Sequence, residues 1–193
     1  MGENIEIERR WLVDITHLST IREATTSAIE IQQWYPPLNE IQLLPERKAI
    51  ALSNRVLIEG FSDDEWRAIC ELVSSGRGVR VRSKGGFGFL TIKGEWVGAV
   101  RSEYEWPVDV ALISQMGDVY QWPMVAKRRL FLPLDGGLEF EIDIFSGKLE
   151  GLIIAEIELP AENIELSLPG WLGSEITGKT EWDNATLAKH PSA

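Results

Sequence analysis

Apolar and polar positions alternate along much of this chain. Successive side chains of a strand point to opposite faces, so period-two alternation predicts half-buried strands. In residues 5–13, IEIERRWLV, the apolar Ile5, Ile7, Trp11 and Val13 fall on one face and Glu6, Glu8 and Arg10 on the other. The pattern recurs. Arg80 and Arg82 oppose Val79 and Val81; Thr91 and Lys93 oppose Leu90 and Ile92; Glu103 and Glu105 oppose Tyr104 and Trp106. Glu141 and Asp143 oppose Phe140, Ile142 and Ile144; Glu156 and Glu158 oppose Ala155, Ile157 and Leu159. Lys127 and Arg129 share a face in AKRRLFL, although Arg128 and Leu130 blur the alternation there. Weaker strands are predicted over 29–35 and within 47–59. Glycine and proline punctuate the set, as at Gly85-Gly86, Pro107, Pro133, Gly136-Gly137 and Pro160.

Helices are fewer. Ser62 and Glu65 have the S-x-x-E spacing of a capping box, and Trp66, Ile69, Cys70 and Val73 follow as one apolar stripe, predicting a helix over 63–74. Residues 108–116 and 181–189 predict two more. Cys70, on the stripe, reads as a small hydrophobe rather than a nucleophile.

Composition narrows the partners. A chain of 193 residues with 44% hydrophobic and 25% charged residues is long enough for one domain with a real core. The formal net charge of −11 argues against a general nucleic-acid binder and against a binder of anionic membranes. It leaves room for an anionic small ligand at a local basic cluster. The single cysteine excludes an intramolecular disulfide and argues against a thiolate metal site. His17 and His190 have no spaced partner. The charged N-terminus does not resemble a signal peptide, and no apolar run approaches the ~18 residues of a membrane span, so a cytoplasmic location is the expectation.

Charge sorting changes the picture more. An open sheet with a solvated face accounts for one strand with charged alternate positions. Here the signs are segregated by strand, acidic at Glu6/Glu8, Glu103/Glu105 and Glu156/Glu158, basic at Arg80/Arg82 and Lys127/Arg129. Like charges two residues apart on one face repel unless neighbouring strands or bound ions offset them. The apolar faces also need cover. A closed antiparallel barrel with helices outside and the charged face within satisfies both conditions. Its lumen would hold carboxylates, which suit hard divalent cations, beside arginine and lysine, which suit phosphate oxygens. A metal-bound polyphosphate or nucleoside triphosphate has that chemistry.

The ordered series EIERRWLV, VRVRSK, FLTIKGE, EYEW, AKRRLFL, FEIDIFSGKLEGL, AEIEL and ITGKTEWDN resembles the CYTH superfamily, the triphosphate tunnel metalloenzymes, with EIERR standing for its opening E-x-E-x-K signature. The resemblance covers nearly the whole chain except about 37–77, and it is most similar in pattern to the short bacterial inorganic triphosphatase-like form. It implies an α+β fold: an eight-stranded closed antiparallel β-barrel, or tunnel, in a single domain over 1–193 with an insert at about 37–77. It implies metal-dependent hydrolysis of a triphosphate, inorganic tripolyphosphate foremost. An adenylyl cyclase of the same superfamily and a non-catalytic polyphosphate- or nucleotide-binding module are the alternatives. By position it implies Glu6, Glu8, Glu141, Asp143, Glu156 and Glu158 as ligands of Mg2+ or Mn2+. Arg10, Arg80, Arg82, Lys93, Lys127 and Arg129 are implied as phosphate-binding, and Arg10, Tyr35 and Lys127 as catalytic. The signature lysine is Arg10 here, and arginine cannot give up its proton to act as a base. Trp182 and Asn184 read as packing and capping residues. The oligomeric state stays open, a homodimer included.

Overall fold

Where alternation is sustained the chain extends, and where glycine or proline interrupts it the chain turns. The computed structural model describes residues 7–75, 78–97, 100–161, 164 and 166–190. In chain order its elements are β1 (Ile7–Val13), α1 (Leu18–Ala24), β2 (Ser27–Trp34), β3 (Ile41–Leu44), β4 (Ala49–Leu52), β5 (Arg55–Glu59), α2 (Asp63–Ser75), β6 (Gly78–Lys84), β7 (Phe87–Val97), β8 (Val100–Val108), α3 (Val110–Tyr120), β9 (Met124–Pro133), β10 (Glu139–Ser146), β11 (Ile153–Leu159), β12 (Leu172–Glu175) and α4 (Asn184–Lys189). The class is α+β, with antiparallel sheet dominant. Among the described residues there are twelve strands rather than eight, and no pairing closes them into a ring. The surplus has a local origin: β3, β4 and β5 lie in the 37–77 segment and β12 follows β11 near the end of the chain, leaving eight, β1, β2 and β6 to β11. Among the described residues no helix is long and apolar enough to cross a membrane.

The chain packs as two compact units, Gln33–Pro123 and Glu6–Gln32 with Met124–Ala193. In the second, β12-β1-β11-β10-β9 are hydrogen-bonded neighbours, all antiparallel. Odd positions of β1 and β11 and even positions of β9 and β10 form the apolar face. Trp11, Val13, Leu130, Leu132, Phe140, Ile142, Ala155 and Ile157 are buried there, with Ile21 of α1 packed in. Trp11 meets Phe140 edge-on at 5.9 Å between centroids, and Phe140 meets Trp171 at 5.4 Å. Each fully buried large side chain contributes about 1.5–3 kcal/mol.

The first unit holds β6-β7-β8 and a separate β3-β4-β5 sheet, both antiparallel. Its core joins Val79, Val81, Leu90, Ile92 and Trp106 with Ile50 and Leu52 of β4 and Ile69, Ile113 and Met116 of the helices. The capping box forms: Ser62 N donates to Glu65 Oε2 at 3.0 Å and Glu65 N to Ser62 Oγ at 3.4 Å. The strand expected within 47–59 is a hairpin, β4 and β5, turned by Ser53 (φ 48°) and Asn54 (φ 63°). Asparagine tolerates that left-handed conformation, but a Ser-Asn pair is a weaker turn signal than the Asn-Gly that usually marks a hairpin. The helix expected at 108–116 starts two residues later, because Asp109 caps α3 by accepting from Ala111 N at 2.8 Å and Leu112 N at 3.2 Å. Gly117 inside α3 has a packing cause: a Cβ there would fall 2.3 Å from Trp34 Nε1.

Candidate active site

The register of the second unit decides which charges meet. Glu8 pairs with Glu158 and Arg10 with Glu156 across β1 and β11. Glu141 pairs with Glu156 across β10 and β11, and Asp143 with Arg129 across β10 and β9. Lys127, two residues before Arg129, takes the same face. Eight predicted site residues therefore share one face of four adjacent strands: Glu8, Arg10, Lys127, Arg129, Glu141, Asp143, Glu156 and Glu158. Arg128, which blurred the pattern, points the other way and stays exposed.

At the centre is a buried ion triad. Asp143 is 2% exposed and accepts from Arg129 at both oxygens, Nε to Oδ1 at 2.7 Å and a terminal nitrogen to Oδ2 at 2.8 Å. Lys127 Nζ also donates to Asp143 Oδ2, and Arg129 reaches Glu141 with its other terminal nitrogen. Burial alone would raise the Asp143 pKa; Lys127 and Arg129 overcome it and hold the carboxyl at about 2. Burial pushes the Lys127 ammonium below its ordinary range, aided by the Arg129 charge and resisted by Asp143. Burial would lower Arg129 too, but Asp143 and the glutamates raise it. Removing one member of such a triad strands the others in a low-dielectric interior.

Beside the triad, Glu141, Glu156 and Glu158 each offer an oxygen, all within 4.8 Å of one another. Directly opposed like charges destabilise a sheet, and both Glu8–Glu158 and Glu141–Glu156 are such pairs. Three convergent carboxylates suit a hard divalent cation, so the donor set fits Mg2+ or Mn2+. Asp143 stands outside this group, with both its oxygens bonded to Lys127 or Arg129. Glu6 lies outside the described residues.

Arg10 is buried at the end of this face. Its Nε is 3.4 Å from Glu156 Oε2, one terminal nitrogen is 3.5 Å from Asp183 Oδ1, and the other donates to the Trp182 carbonyl at 3.1 Å. Its backbone N–H donates to Thr177 Oγ1 at 3.0 Å, and its carbonyl accepts from Ile176 N at 2.8 Å. Trp182 thus engages the face through its backbone. α4 begins at Asn184, with Asp183 rather than Asn184 at the cap position.

The first unit has its own charged face. Arg80 and Arg82 of β6 converge on Glu105 Oε2 of β8, at 3.4 and 2.8 Å. Thr91 of β7, fully buried between them, donates to Glu105 at 2.9 Å and accepts from Arg80 at 3.2 Å. Lys93 shares the Thr91 face and pairs in register with Glu103. Tyr35 follows β2, and its hydroxyl donates to Gln33 Oε1 at 3.1 Å.

Alternation placed the face residues. It passed over Thr91 as a partner, though the residue sits on a charged face by parity. Asp183 carried no signal, since its link to Arg10 spans 173 positions in sequence.

No protein-family model matches the sequence. The chain is 39% identical over 116 residues to an inorganic triphosphatase of Acetivibrio thermocellus, covering 60% of this chain and 74% of that protein. It is 33% identical over 112 residues to an inorganic triphosphatase of Nitrosomonas europaea, covering 57% of this chain and 74% of that one. Among solved structures, the inorganic triphosphatase NE1496 aligns with a TM-score of 0.56 and 25% identity over 97% of both chains.

Proposed function

Because this chain belongs to the CYTH family of inorganic triphosphatase-like proteins, we propose that it hydrolyses a phosphoanhydride bond of inorganic triphosphate, with a divalent cation as cofactor. The observation that carries this reading is the convergence of Glu141, Glu156 and Glu158 beside the Lys127–Asp143–Arg129 triad. The three glutamates would hold Mg2+ or Mn2+, with Glu8 next along the same face. The cation supplies charge neutralisation for the phosphate chain and its attacking water.

The remaining work falls to side chains. Lys127 and Arg129 present positive charge to phosphate oxygens, and Asp143 fixes their orientation before substrate arrives. Preorganised charge of this kind is a main source of rate in phosphoryl transfer. Arg80, Arg82 and Lys93 are proposed as further phosphate-binding residues and Tyr35 as a residue orienting the attacking water. Arg10 stabilises charge and does not act as a base. A closed eight-stranded tunnel belongs to the same proposal, as does a cytoplasmic location. The tunnel is supported by faces of sorted like charge, which an open solvated sheet would leave repelling.

The test is phosphate release from tripolyphosphate with Mg2+ or Mn2+, run beside ATP with detection of cyclic AMP. Chelator-sensitive release from tripolyphosphate is the expected result. Cyclic AMP as the main product would move the chain to the cyclase branch. Silence from a folded protein that still gains thermal stability with tripolyphosphate would make it a binding module.

A further inference from the structure

Arg10 stands where the family signature has lysine, and its three nitrogens point at three different partners. An ammonium offers its donors from a single atom, whereas a guanidinium spreads them over a planar fork. The fork is turned toward the C-terminal segment: one terminal nitrogen donates to the Trp182 carbonyl and the other faces Asp183. What remains for Glu156 is Nε, at 3.4 Å and without a hydrogen bond although buried. Asp183 is the cap residue of α4, yet its carboxylate makes no capping hydrogen bond to that helix. It faces Arg10 instead. Trp182 also lines a cavity with Leu12, the next residue after Arg10 on the same face of β1, so the segment covers this end of the strand twice. α4 packs in turn against β9, which carries Lys127 and Arg129.

We infer that Asp183 is a positioning residue. With the Trp182 carbonyl it latches the Arg10 guanidinium to the C-terminal segment and so limits its ion pair with Glu156 to the single Nε contact, which leaves the glutamate's second oxygen available to a divalent cation. Without the latch, the fork can swing onto Glu156 and form the bidentate pair that arginine and carboxylate prefer. The part concerning the cation rests on the function proposed above; the part concerning the segment does not.

The test compares wild type with Asp183→Asn, which keeps a good cap residue and removes the charge. The first measurement is the rate of tryptic cleavage at Lys179 without metal. Asp183 is 56% exposed, so loss of its ion pair is expected to raise cleavage by about two- to fivefold, the effect of a partly exposed pair. The second is Mn2+ binding by titration calorimetry without substrate, where the variant should bind about two- to fivefold more weakly. An unchanged cleavage rate overturns the latch. Faster cleavage with unchanged Mn2+ affinity overturns the claim for Glu156. Faster cleavage in a protein whose wild type binds no Mn2+ upholds the latch and removes the metal from the proposed function.

Discussion

The two units carry the same device, a sheet face of sorted charge, built to opposite balance. In Glu6–Gln32 with Met124–Ala193, the cations Arg10, Lys127 and Arg129 face a larger set of carboxylates: Glu8, Glu141, Asp143, Glu156 and Glu158. In Gln33–Pro123, Arg80 and Arg82 share Glu105. Burial differs as well: Asp143 is 2% exposed, while the Glu105 side chain is 32% exposed. An acid-rich face with a sealed ion triad suits a cation. A base-rich face with a partly wet carboxylate suits an anion. Composition hides this division, because the chain as a whole is acidic.

The contrast breaks most readily at the triad. Asp143→Asn leaves Lys127 and Arg129 buried without their main counter-charge, and a loss of about 3–5 kcal/mol in urea unfolding is expected. Glu105→Gln should cost no more than about 1 kcal/mol, as for a partly exposed pair. Equal losses would mean that the two faces are energetically alike. Next in size is Glu158→Gln. It should lower metal-dependent phosphate release by about 100-fold, because a ligand is lost, and leave the thermal midpoint within a few degrees. Full activity would remove Glu158 from the metal group.

Acid stability sharpens the same comparison. Asp143 is held below its ordinary value of 3.8, at about 2. Its contribution is therefore complete above about pH 4 and lost as pH falls through about 2, worth about 2 kcal/mol in all. Asp143→Asn should flatten this acid limb of the pH–stability curve; a limb of unchanged size would assign it to other carboxylates. A smaller effect is expected for substrate binding at the base-rich face. Arg82→Gln should raise KM for tripolyphosphate about tenfold, near 1.4 kcal/mol, with the smaller part of the change in kcat. A loss confined to kcat would make Arg82 a transition-state group rather than a substrate-binding one.

Local pattern determined much of this protein. Parity alone placed Glu141 and Asp143 together, and likewise Glu156 and Glu158, because a strand puts every second side chain on one face. The capping box at Ser62 and Glu65 marked the start of α2 for an equally local reason. Alternation predicted β1, β2 and β6 to β11 but was silent on β3 and β12, four-residue strands too short to display a period. It merged β4 with β5 because the Ser-Asn turn lacks glycine.

Only the tertiary structure decided which carboxylates converge and which are neutralised. Glu141 and Asp143 look alike in sequence. The register of β10 against β9 gives Asp143 to Arg129 and Lys127, and the register of β10 against β11 sets Glu141 beside Glu156. Arg10 and Asp183 stand far apart along the chain and meet only because the C-terminal segment returns to β1. Parity is a property of the backbone, repeated every two residues and readable from any short stretch. Register and chain return depend on long-range pairing, which no local pattern contains.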